Sequence, residues 1–559
     1  MLVLHTNSKS YIIFCLFAVL ALLPMQAGDL HSVPYDSQFM QGTLERRISQ
    51  NMQRLCEEKY QPDHVFLTME QSGGWPGDTE GRTILALTLD AQALHTTSDN
   101  LQEILHRLPS HLNERGYMGP VYPDFIHEQQ LSGNGWMLRG LCEYYEWKGD
   151  TAILDIIRRL ARQLFLPWRG QFCTYPIQAA ERQQNVGGAS GHTVGQVGHW
   201  QLSSDVGCLF IGMDGLIHAY AVTHDEELRP VIDELIDVFL RIDLLSIKAQ
   251  THATLTALRG LLRYATLTGD RRYISEVASR FLLYTQYGMT ENFANYNWFC
   301  RYDTWTEPCA IVDSYLLAVQ LWQQTRDAAY LQWAEQIYFN ALCHGQRHNG
   351  GFGCDNCPGK GSGTPYLKVS APEAHWCCTM RGAEGLSNAA RYSMFQHADT
   401  LFFPFYRPAA FKASIRKQQV GITEQTQYPF DGCVSFSIAV QRPLRFTLCL
   451  PCYEWMEDIR VQVNGKNVSA EKCQGFLVLR RKFRMTDKVT VQFQLSNRKL
   501  PILNPQNALP GYTHRIQHGP LLMGKPEGSD ALVPIWHMMN ASVWDSSSSG
   551  FQILFPDGD

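Results

Sequence analysis

The sequence has few charged residues and no long basic run. Charged residues make up 18% of the 559, and 48 Lys and Arg stand against 53 Asp and Glu, for a net charge of −5. Proteins that bind nucleic acid concentrate Lys and Arg on one surface. The composition therefore argues against a nucleic-acid partner. The hydrophobic share of 45% is enough for a large core, and the length predicts at least two domains.

The chain also lacks a long apolar run beyond its N-terminus. Residues 11–23 form an apolar stretch that follows Lys9 and precedes Ala27, a pattern typical of a secretory signal peptide. The stretch is shorter than the roughly 20 residues that span a bilayer. We expect residues 1–27 to be removed, with an uncleaved anchor as the alternative. The mature protein would then be periplasmic or secreted, without membrane contact.

The cysteines do not have the pattern of a small disulfide scaffold. Sixteen are present, and Cys15 lies in the predicted signal peptide, so fifteen remain and at least one cannot pair internally. Small secreted domains need disulfides because they lack a core, and this chain is long enough to have one. Some of the cysteines are therefore candidates for metal ligands or nucleophiles.

Helical periodicity dominates from about residue 40 to 395. Residues 131–147, 253–265 and 309–322 carry apolar residues at spacings of three and four. Gly149-Asp150 and Gly269-Asp270 follow such stretches, and Gly favours the end of a helix whereas Asp favours the start of the next. Repeated helical hairpins of this kind predict an (α/α) barrel over residues 28–398.

The pattern changes to alternation of apolar and polar residues near residue 400. Residues 434–438, 444–450 and 489–495 alternate, and Asn464-Gly465 is typical of a type I′ hairpin turn. We therefore predict an antiparallel β-sandwich over residues 399–540, followed by a tail at 541–559. The fold class is mainly α, with a C-terminal sandwich.

One group of residues offers soft metal ligands. Glu307-Pro308-Cys309 opens a predicted helix, and Cys377-Cys378 follows much later. Three thiols and one carboxylate form a reasonable Zn²⁺ set. The alternative is that the vicinal cysteines are a buried pair in a core.

A second pair, Cys354 and Cys357, forms a CxxC in a Gly-rich loop. The pair could be half of a zinc knuckle, a redox pair or a disulfide within the loop. The predicted export of the protein favours the disulfide, because disulfides persist in oxidising compartments.

Glu291 is a candidate proton donor. It lies 16 residues before Glu307 in an aromatic-rich segment, and aromatic faces suit sugar rings. Glycoside hydrolysis requires a proton donor on the leaving oxygen and, when configuration is retained, a nucleophile on the opposite face. A polar loop at a helix end is the alternative.

Together these residues resemble glycoside hydrolase family 127, whose best-known members are β-L-arabinofuranosidases. The resemblance rests on Glu291, Glu307-x-Cys309, Cys377-Cys378 and residues 515–522, and it covers most of the mature chain. It implies that the barrel is an (α/α)6 barrel and that the β-sandwich follows it. It also implies an exo-acting retaining enzyme that releases a terminal L-furanosyl residue from plant cell-wall glycans.

The resemblance also implies a role for each of these residues. Cys377 would be the nucleophile that forms a thioglycosyl intermediate. Glu307, Cys309, Cys377 and Cys378 would hold Zn²⁺, which deprotonates a bound thiol. Glu291 would be the general acid/base, with its carboxyl about 5–5.5 Å from the nucleophile.

Several further residues are predicted to bind the oligosaccharide substrate. His252 resembles a sugar-binding histidine of the family. Trp75 and Trp136 follow Gly-rich turns that suit a sugar platform, although a buried Trp at a helix start is the alternative. His199 and Arg301 complete the set.

Other functions compete with this interpretation. The first alternative is an aceric acid hydrolase, because a member of family 127 cleaves aceric acid, an acidic sugar of rhamnogalacturonan-II. In this chain Arg139, Arg301 or Arg381 would then bind the acidic group of the sugar. A polysaccharide lyase would use Tyr302 or His375 as its base. A non-catalytic glycan-binding protein would use zinc only structurally. The sequence does not predict the oligomeric state.

Overall fold

The computed structural model describes residues 30–182, 191–535 and 550–556. The predicted signal peptide and most of the predicted tail lie outside these residues. Within the described part of the chain, no helix is long and apolar enough to cross a membrane.

Helices fill most of the chain up to residue 391. In chain order they are α1 (Thr43–Arg54), α2 (Pro62–Val65), α3 (Asp78–Ala93), α4 (Asp99–His111), α5 (Glu128–Lys148), α6 (Thr151–Phe165), α7 (Leu209–Thr223), α8 (Arg229–Arg241), α9 (Thr251–Thr268), α10 (Arg272–Tyr287), α11 (Pro308–Thr325), α12 (Ala329–Ile337), α13 (Cys343–Gly345) and α14 (Cys378–Arg391).

Six of these helices form a closed inner ring. Helix α3 packs on α5, α5 on α7, α7 on α9, α9 on α11, α11 on α14, and α14 returns to α3. Helices α1, α4, α6, α8, α10 and α12 pack outside this ring. The inner helices α3, α5, α7 and α11 are buried along nearly their whole length, whereas outer helices such as α6 bury one face. This arrangement is an (α/α)6 barrel, and it confirms the predicted fold class.

Glycine lets the inner helices approach closely. A Cβ on Gly81 of α3 would lie 2.2 Å from the backbone nitrogen of Met137 on α5, and one on Gly215 of α7 would lie 2.3 Å from the carbonyl oxygen of Gly135. Real Cβ atoms essentially never come within 3.0 Å of another heavy atom. Larger residues at these two positions would therefore push the ring apart.

The predicted helix ends at Gly149 and Gly269 and the helix start at Asp150 are confirmed, whereas Asp270 is not the N-cap of the next helix, because α10 begins at Arg272 with Arg271 as its N-cap. Gly149 ends α5 in the left-handed conformation, with φ of 67°, and Gly269 ends α9 with φ of 72°. Asp150 then begins α6, because its side chain accepts a hydrogen bond from the backbone N–H of Ala152.

Strands occupy mainly the C-terminal third of the chain. They are β1 (His31–Ser32), β2 (Gln38–Met40), β3 (Ile126–His127), β4 (Thr193–Val197), β5 (Trp200–Ser203), β6 (Cys354–Asp355), β7 (Tyr366–Leu367), β8 (Val369–Ala371), β9 (Phe395–His397), β10 (Thr400–Phe402), β11 (Ala409–Ile415), β12 (Gln418–Thr426), β13 (Cys433–Val440), β14 (Leu444–Pro451), β15 (Glu457–Val463), β16 (Lys466–Asn467), β17 (Glu471–Cys473), β18 (Phe476–Phe483), β19 (Lys488–Gln494), β20 (Asn497–Pro501), β21 (Tyr512–His518), β22 (Leu521–Pro526), β23 (Val533–Pro534), β24 (Phe551–Gln552) and β25 (Phe555–Pro556).

Two sheets form the sandwich. Their strand orders are β1-β9-β10-β14-β18-β17 and β16-β15-β19-β13-β12-β11-β2. Alternate residues of β11, β12, β13 and β19 are buried, as the alternation predicts. Asn464 and Gly465 both have positive φ and join β15 to β16 as the predicted hairpin turn. The N-terminal strands β1 and β2 join these sheets, although residues 28–398 were assigned to the barrel.

A third sheet, in the order β20-β21-β22-β24-β7, lies outside the sandwich. It unites the segment after residue 496 with β7 from a barrel loop. Part of the predicted tail belongs to it, since β24 pairs with β22 and β25 pairs with β21. Phe551, Ile553, Leu554 and Phe555 are buried, and this apolar content explains why residues 551–556 pack instead of forming a loose tail.

Candidate active site

A cavity of about 770 Å³ lies where several inner helices begin. Asp78 and Arg82 of α3, Ile211 of α7, His252 of α9 and Cys378 of α14 all line it from the first turns of their helices. Glu307 and Cys377, which immediately precede α11 and α14, also line it. Helix N-termini carry partial positive charge, so this end of the barrel favours anions.

Three cysteines form a compact cluster in the wall of this cavity. The Sγ atoms of Cys377 and Cys378 are 3.3 Å apart, and those of Cys309 and Cys378 are 3.9 Å apart. Cys309 and Cys378 are buried, whereas Cys377 is partly exposed. Cys377 is therefore the most accessible of the three thiols to a ligand in the cavity.

The electrostatic environment gives the three thiols different pKa values. Hydrogen bonds from Cys309 and Cys378 lower the pKa of Cys377 to about 6. Burial raises the pKa of Cys309 to about 11 and raises that of Cys378 well above its ordinary value. Cys377 is thus the first of the three to become a thiolate, and the thiolate is the nucleophilic form of cysteine.

Glu307 and His252 lie beside these thiols. The Glu307 Oε1 atom is 3.4 Å from His252 Nδ1, and His252 Nε2 is 3.5 Å from Asp313 Oδ2. The backbone N–H of Glu307 donates to Asn295 Oδ1 at 2.9 Å. Burial raises the pKa of Glu307, although His252 opposes this effect. The imidazole therefore holds the carboxylate in place from one side.

These residues fit a metal ion. Ligand atoms of Cys309, Cys377 and Cys378 all lie within 4.8 Å of one another, and so do those of His252, Glu307 and Cys309. The buried Glu307 Oε2 atom has no hydrogen-bond partner. Thiolates about 2.3 Å from a tetrahedral zinc ion lie about 3.8 Å apart, close to the Cys309–Cys378 separation.

A guanidinium also contacts the cluster. Arg82 donates to Cys309 Sγ at 3.5 Å and makes a bidentate ion pair with Asp78, at 2.6 and 3.1 Å. Its Cζ lies 4.1 Å from the centroid of the Trp136 ring, and Arg381 lies 4.4 Å from the same ring. Arg82 is thus fixed by three partners and adds positive charge beside the thiols.

Glu291 occupies a different environment. It is buried and does not line the cavity. Its Oε2 accepts a hydrogen bond from the backbone N–H of Leu503 at 2.7 Å, and its Oε1 accepts one from Asn504 at 2.8 Å. Arg515 Nε lies 3.9 Å from Oε2. The structure therefore does not bring Glu291 and Cys377 together in one cavity; it places Glu291 against the third sheet.

The predicted sugar-binding residues divide into two groups. Trp75 and His252 line the cavity. Trp136 is fully buried between the two guanidinium groups, as the alternative interpretation expects. His199 lies 3.1 Å from Thr174 Oγ1 outside the cavity, and Arg301 pairs with Asp303 at 2.8 Å and does not line it either.

The predicted disulfide between Cys354 and Cys357 is wrong. All fifteen cysteines that the structure describes are free. Cys354 lines the cavity, and its thiol contributes to the raised pKa of Cys378. Cys357 is fully buried, and its thiol contacts the carbonyl oxygen of Asn295 at 3.7 Å. The two side chains therefore lie in different surroundings, Cys354 at the cavity and Cys357 in the protein interior.

The sequence analysis did not predict several residues that line the cavity. They are Gln71, Asp78, Arg82, Asp205, Gln250, Trp305 and Trp376. The Asp78–Arg82 pair has the i, i+4 spacing of a helical ion pair, and Trp376 adjoins a predicted nucleophile, so both had a local signal. Asp205 and Gln250 had none, because only the packing of β5, α7 and α9 places them at the cavity.

Comparison with known families supports the assignment. A model described as the β-L-arabinofuranosidase GH127 catalytic domain matches residues 242–391, and one described as the GH127 middle domain matches residues 401–495. Both regions of the chain are similar to glycoside hydrolase family 127. The catalytic-domain match contains Glu291, Glu307, Cys309 and the Cys377–Cys378 pair, and it supports a glycoside hydrolase.

Solved structures agree with the fold of family 127. A GH127 β-arabinofuranosidase is 16% identical with a TM-score of 0.65, covering 90% of this chain and 86% of its own. A GH127 β-L-arabinofuranosidase from Geobacillus stearothermophilus T6 is 16% identical with a TM-score of 0.62, covering 86% and 81%. A protein described as a glycoside hydrolase is 13% identical with a TM-score of 0.65, covering 90% and 84%. No curated protein sequence matches the chain.

Proposed function

We propose that this glycoside hydrolase is an exo-acting, retaining enzyme that uses Cys377 as its nucleophile. It would release a terminal L-furanosyl residue, β-L-arabinofuranose or a related pectic sugar, from plant cell-wall glycans. The observation that carries the proposal is a partly exposed thiol with a lowered pKa in the wall of a cavity large enough for a small oligosaccharide. The β-L-arabinofuranosidase description of the matching catalytic-domain model supports the sugar.

The chain's own residues prepare the thiol for attack. Cys377 precedes α14, so the N-terminus of that helix stabilises a negative sulfur, and Arg82 adds charge through Cys309. Attack on the anomeric carbon forms a C–S bond and breaks the bond to the leaving oxygen, which takes a proton. Water then displaces the sulfur, so the two inversions give net retention.

Zinc is the metal that this donor set favours. We propose that Glu307, Cys309, Cys377 and Cys378 hold it. When bound, Zn²⁺ would keep the thiols deprotonated and the sulfur oriented. The unpartnered Glu307 Oε2 and the three neighbouring thiols support this assignment.

The proton donor has two candidates. The family resemblance assigns the general acid/base role to Glu291, and that assignment stays a prediction. Glu291 could reach a leaving oxygen only if the Leu503 and Asn504 amides released it. Asp205 is the second candidate, because it lines the same cavity as Cys377.

The charges of the cavity favour a neutral sugar over aceric acid. Asp78, Asp205 and Glu307 line it, and the basic groups among its described lining residues are Arg82 and His252, each of which already faces a carboxylate. The other proposed cationic contacts lie elsewhere: Arg139 and Arg381 pair with buried carboxylates of the barrel core, and Arg301 pairs with Asp303.

The lyase alternative gains no support from the cavity. Neither Tyr302 nor His375 is among its described lining residues. The Tyr302 hydroxyl donates to Gln506 at 2.8 Å. A non-catalytic glycan-binding protein would have no use for a thiol with a lowered pKa.

Product release from arabinan side-chain and pectic oligosaccharides tests the proposal. Wild type is expected to release one monosaccharide, and Cys377→Ala none. Cys142→Ser, which changes a buried thiol of α5, is the matched control and should stay active. Equal release by wild type and Cys377→Ala would mean that Cys377 is not the nucleophile.

We further propose that the protein is exported after removal of residues 1–27. The N-terminal residue of the mature protein, measured by mass spectrometry after expression in a bacterial host, tests this proposal.

A further inference from the structure

The wall beside Cys377 carries an exposed tryptophan. Trp376 has 56% of its surface exposed. The structure describes four other exposed large hydrophobic residues, Leu267, Leu282, Phe430 and Met485, and none of these lines the cavity. A large apolar side chain that stays in water at a cavity is typical of a binding surface.

The backbone around Trp376 is well fixed. The N–H of Ala374 donates to the carbonyl of Phe352 at 2.8 Å, and the N–H of Cys378 donates to the carbonyl of Ala374 at 2.9 Å. The His375 ring meets the indole edge-on, with centroids 5.0 Å apart. Cα atoms of adjacent residues are about 3.8 Å apart. Trp376 adjoins Cys377 in the chain and lines the same cavity, so a substrate bound there can contact both residues.

Two other tryptophans line the same cavity, but their rings are less exposed to a ligand. Trp75 is half-buried, and its Nε1 donates to the carbonyl of Gly191 at 3.1 Å. Trp305 packs edge-on against buried Trp298, with centroids 5.6 Å apart. Trp376 is the most exposed of the three tryptophans that line the cavity, so its ring face is the one open to a ligand.

We propose that Trp376 is the stacking platform for the leaving-group sugar, so that the substrate's second unit is a sugar ring with an apolar C–H face. This inference rests on the proposed function and adds the chemical class of the leaving group. Sugar rings present C–H groups on one face, and the face of an indole ring is negative and apolar, so the two surfaces attract. A methyl leaving group offers no such face.

Two substrates with the same terminal sugar test the inference. They are methyl β-L-arabinofuranoside and the β-L-arabinofuranosyl-L-arabinofuranose disaccharide. Trp376→Ala is expected to lower kcat/KM for the disaccharide about tenfold, as lost aromatic stacking predicts, and to change the value for the methyl glycoside by less than about twofold. Trp376→Phe should recover most of the loss. Phe430→Ala, which removes an exposed ring of the sandwich, should change neither value.

Other outcomes overturn the inference. Equal losses on both substrates would show that Trp376 shapes the Cys377 site, and no loss on the disaccharide would show that its ring contacts no leaving group. If wild type hydrolyses neither substrate, β-L-arabinofuranose is not the sugar that the enzyme releases, and calorimetry then decides the inference separately. In a Cys377→Ala background, Trp376→Ala should weaken disaccharide binding about tenfold; equal binding, or no binding by either protein, would refute the platform.

Discussion

The substitution Glu291→Gln separates two roles for this residue. If Glu291 anchors the third sheet, the variant loses stability. If it is the general acid/base, the variant keeps its stability and loses activity. The hydrogen bonds to Leu503 and Asn504 connect a barrel loop to the segment after β20, so the anchor role has a defined structural consequence.

The structure gives the size of the expected effect. Glutamine keeps one acceptor oxygen and points its NH₂ group at the other backbone N–H, so one charge-assisted hydrogen bond, worth about 1.5–3 kcal/mol, is lost. Arg515, which is buried, also loses its nearby carboxylate. Removing one partner of a buried ion pair costs about 3–5 kcal/mol. Because the two effects overlap, we expect a total loss of about 3 kcal/mol or more.

Thermal unfolding followed by circular dichroism measures this loss. We expect the Tm of Glu291→Gln to fall by several degrees and protease cleavage near residues 502–511 to become faster. Glu471→Gln, which changes an exposed glutamate of β17, is the control and should behave like wild type. Arg515→Met in the Glu291→Gln background should recover part of the loss, because the unpaired cation is removed.

One result would refute this reasoning. If Glu291→Gln unfolds within about 1 °C of wild type while kcat falls more than about a hundredfold, Glu291 acts as the acid/base and the amide contacts are not its main role. If Glu291→Gln instead loses no more activity than its loss of folded protein explains, Glu291 is not the proton donor. A carboxylate of the cavity, such as Asp205, would then donate the proton.

Two further predictions concern buried groups. Burial raises the pKa of Asp90 from 3.8 to about 8, so the folded protein holds one more proton than the unfolded chain between these pH values. This contribution to stability is complete below pH 3.8 and is lost by about 1.4 kcal/mol per pH unit as pH rises toward 8; Asp90→Asn should remove that slope in urea unfolding. Purified wild type should contain about one zinc ion per chain, and Cys309→Ser should contain less than about a tenth of a zinc ion per chain. Cys142→Ser is the control and should match wild type. Equal zinc contents in wild type and Cys309→Ser would contradict the proposed ligand set.

Local sequence patterns predicted the elements that depend on neighbouring residues. The helices around residues 131–147, 253–265 and 309–322 follow from apolar spacing, and the boundary at Gly149-Asp150 and the helix end at Gly269 follow from the conformations that Gly and Asp prefer. The third sheet was not predicted, because it includes the short strands β7 and β24, which pair across nearly two hundred residues of chain. No local pattern records such a pairing.

The same distinction applies to the site. The spacing of Glu307, Cys309 and Cys377 supported the resemblance, and the structure brings these residues to one cavity wall. The spacing of Glu291 supported it equally well, yet its side chain meets the backbone of residues 503–504, more than two hundred positions away. Spacing therefore identified which residues match the family, whereas the surroundings of each carboxylate depend on packing between distant segments.

The organisation of the barrel explains where the site residues occur in the chain. Asp78, His252, Glu307 and Cys377 are separated by 55 to 174 positions, but each lies at the first residues of an inner helix or directly before one. Because these helices begin at the same end of the ring, their N-termini jointly form the cavity and make it favourable for an anion. A thiolate at Cys377 therefore gains electrostatic stabilisation from the start of α14. Glu307, a carboxylate at the same end, also faces His252 and lies beside thiols whose ligand atoms suit a metal ion.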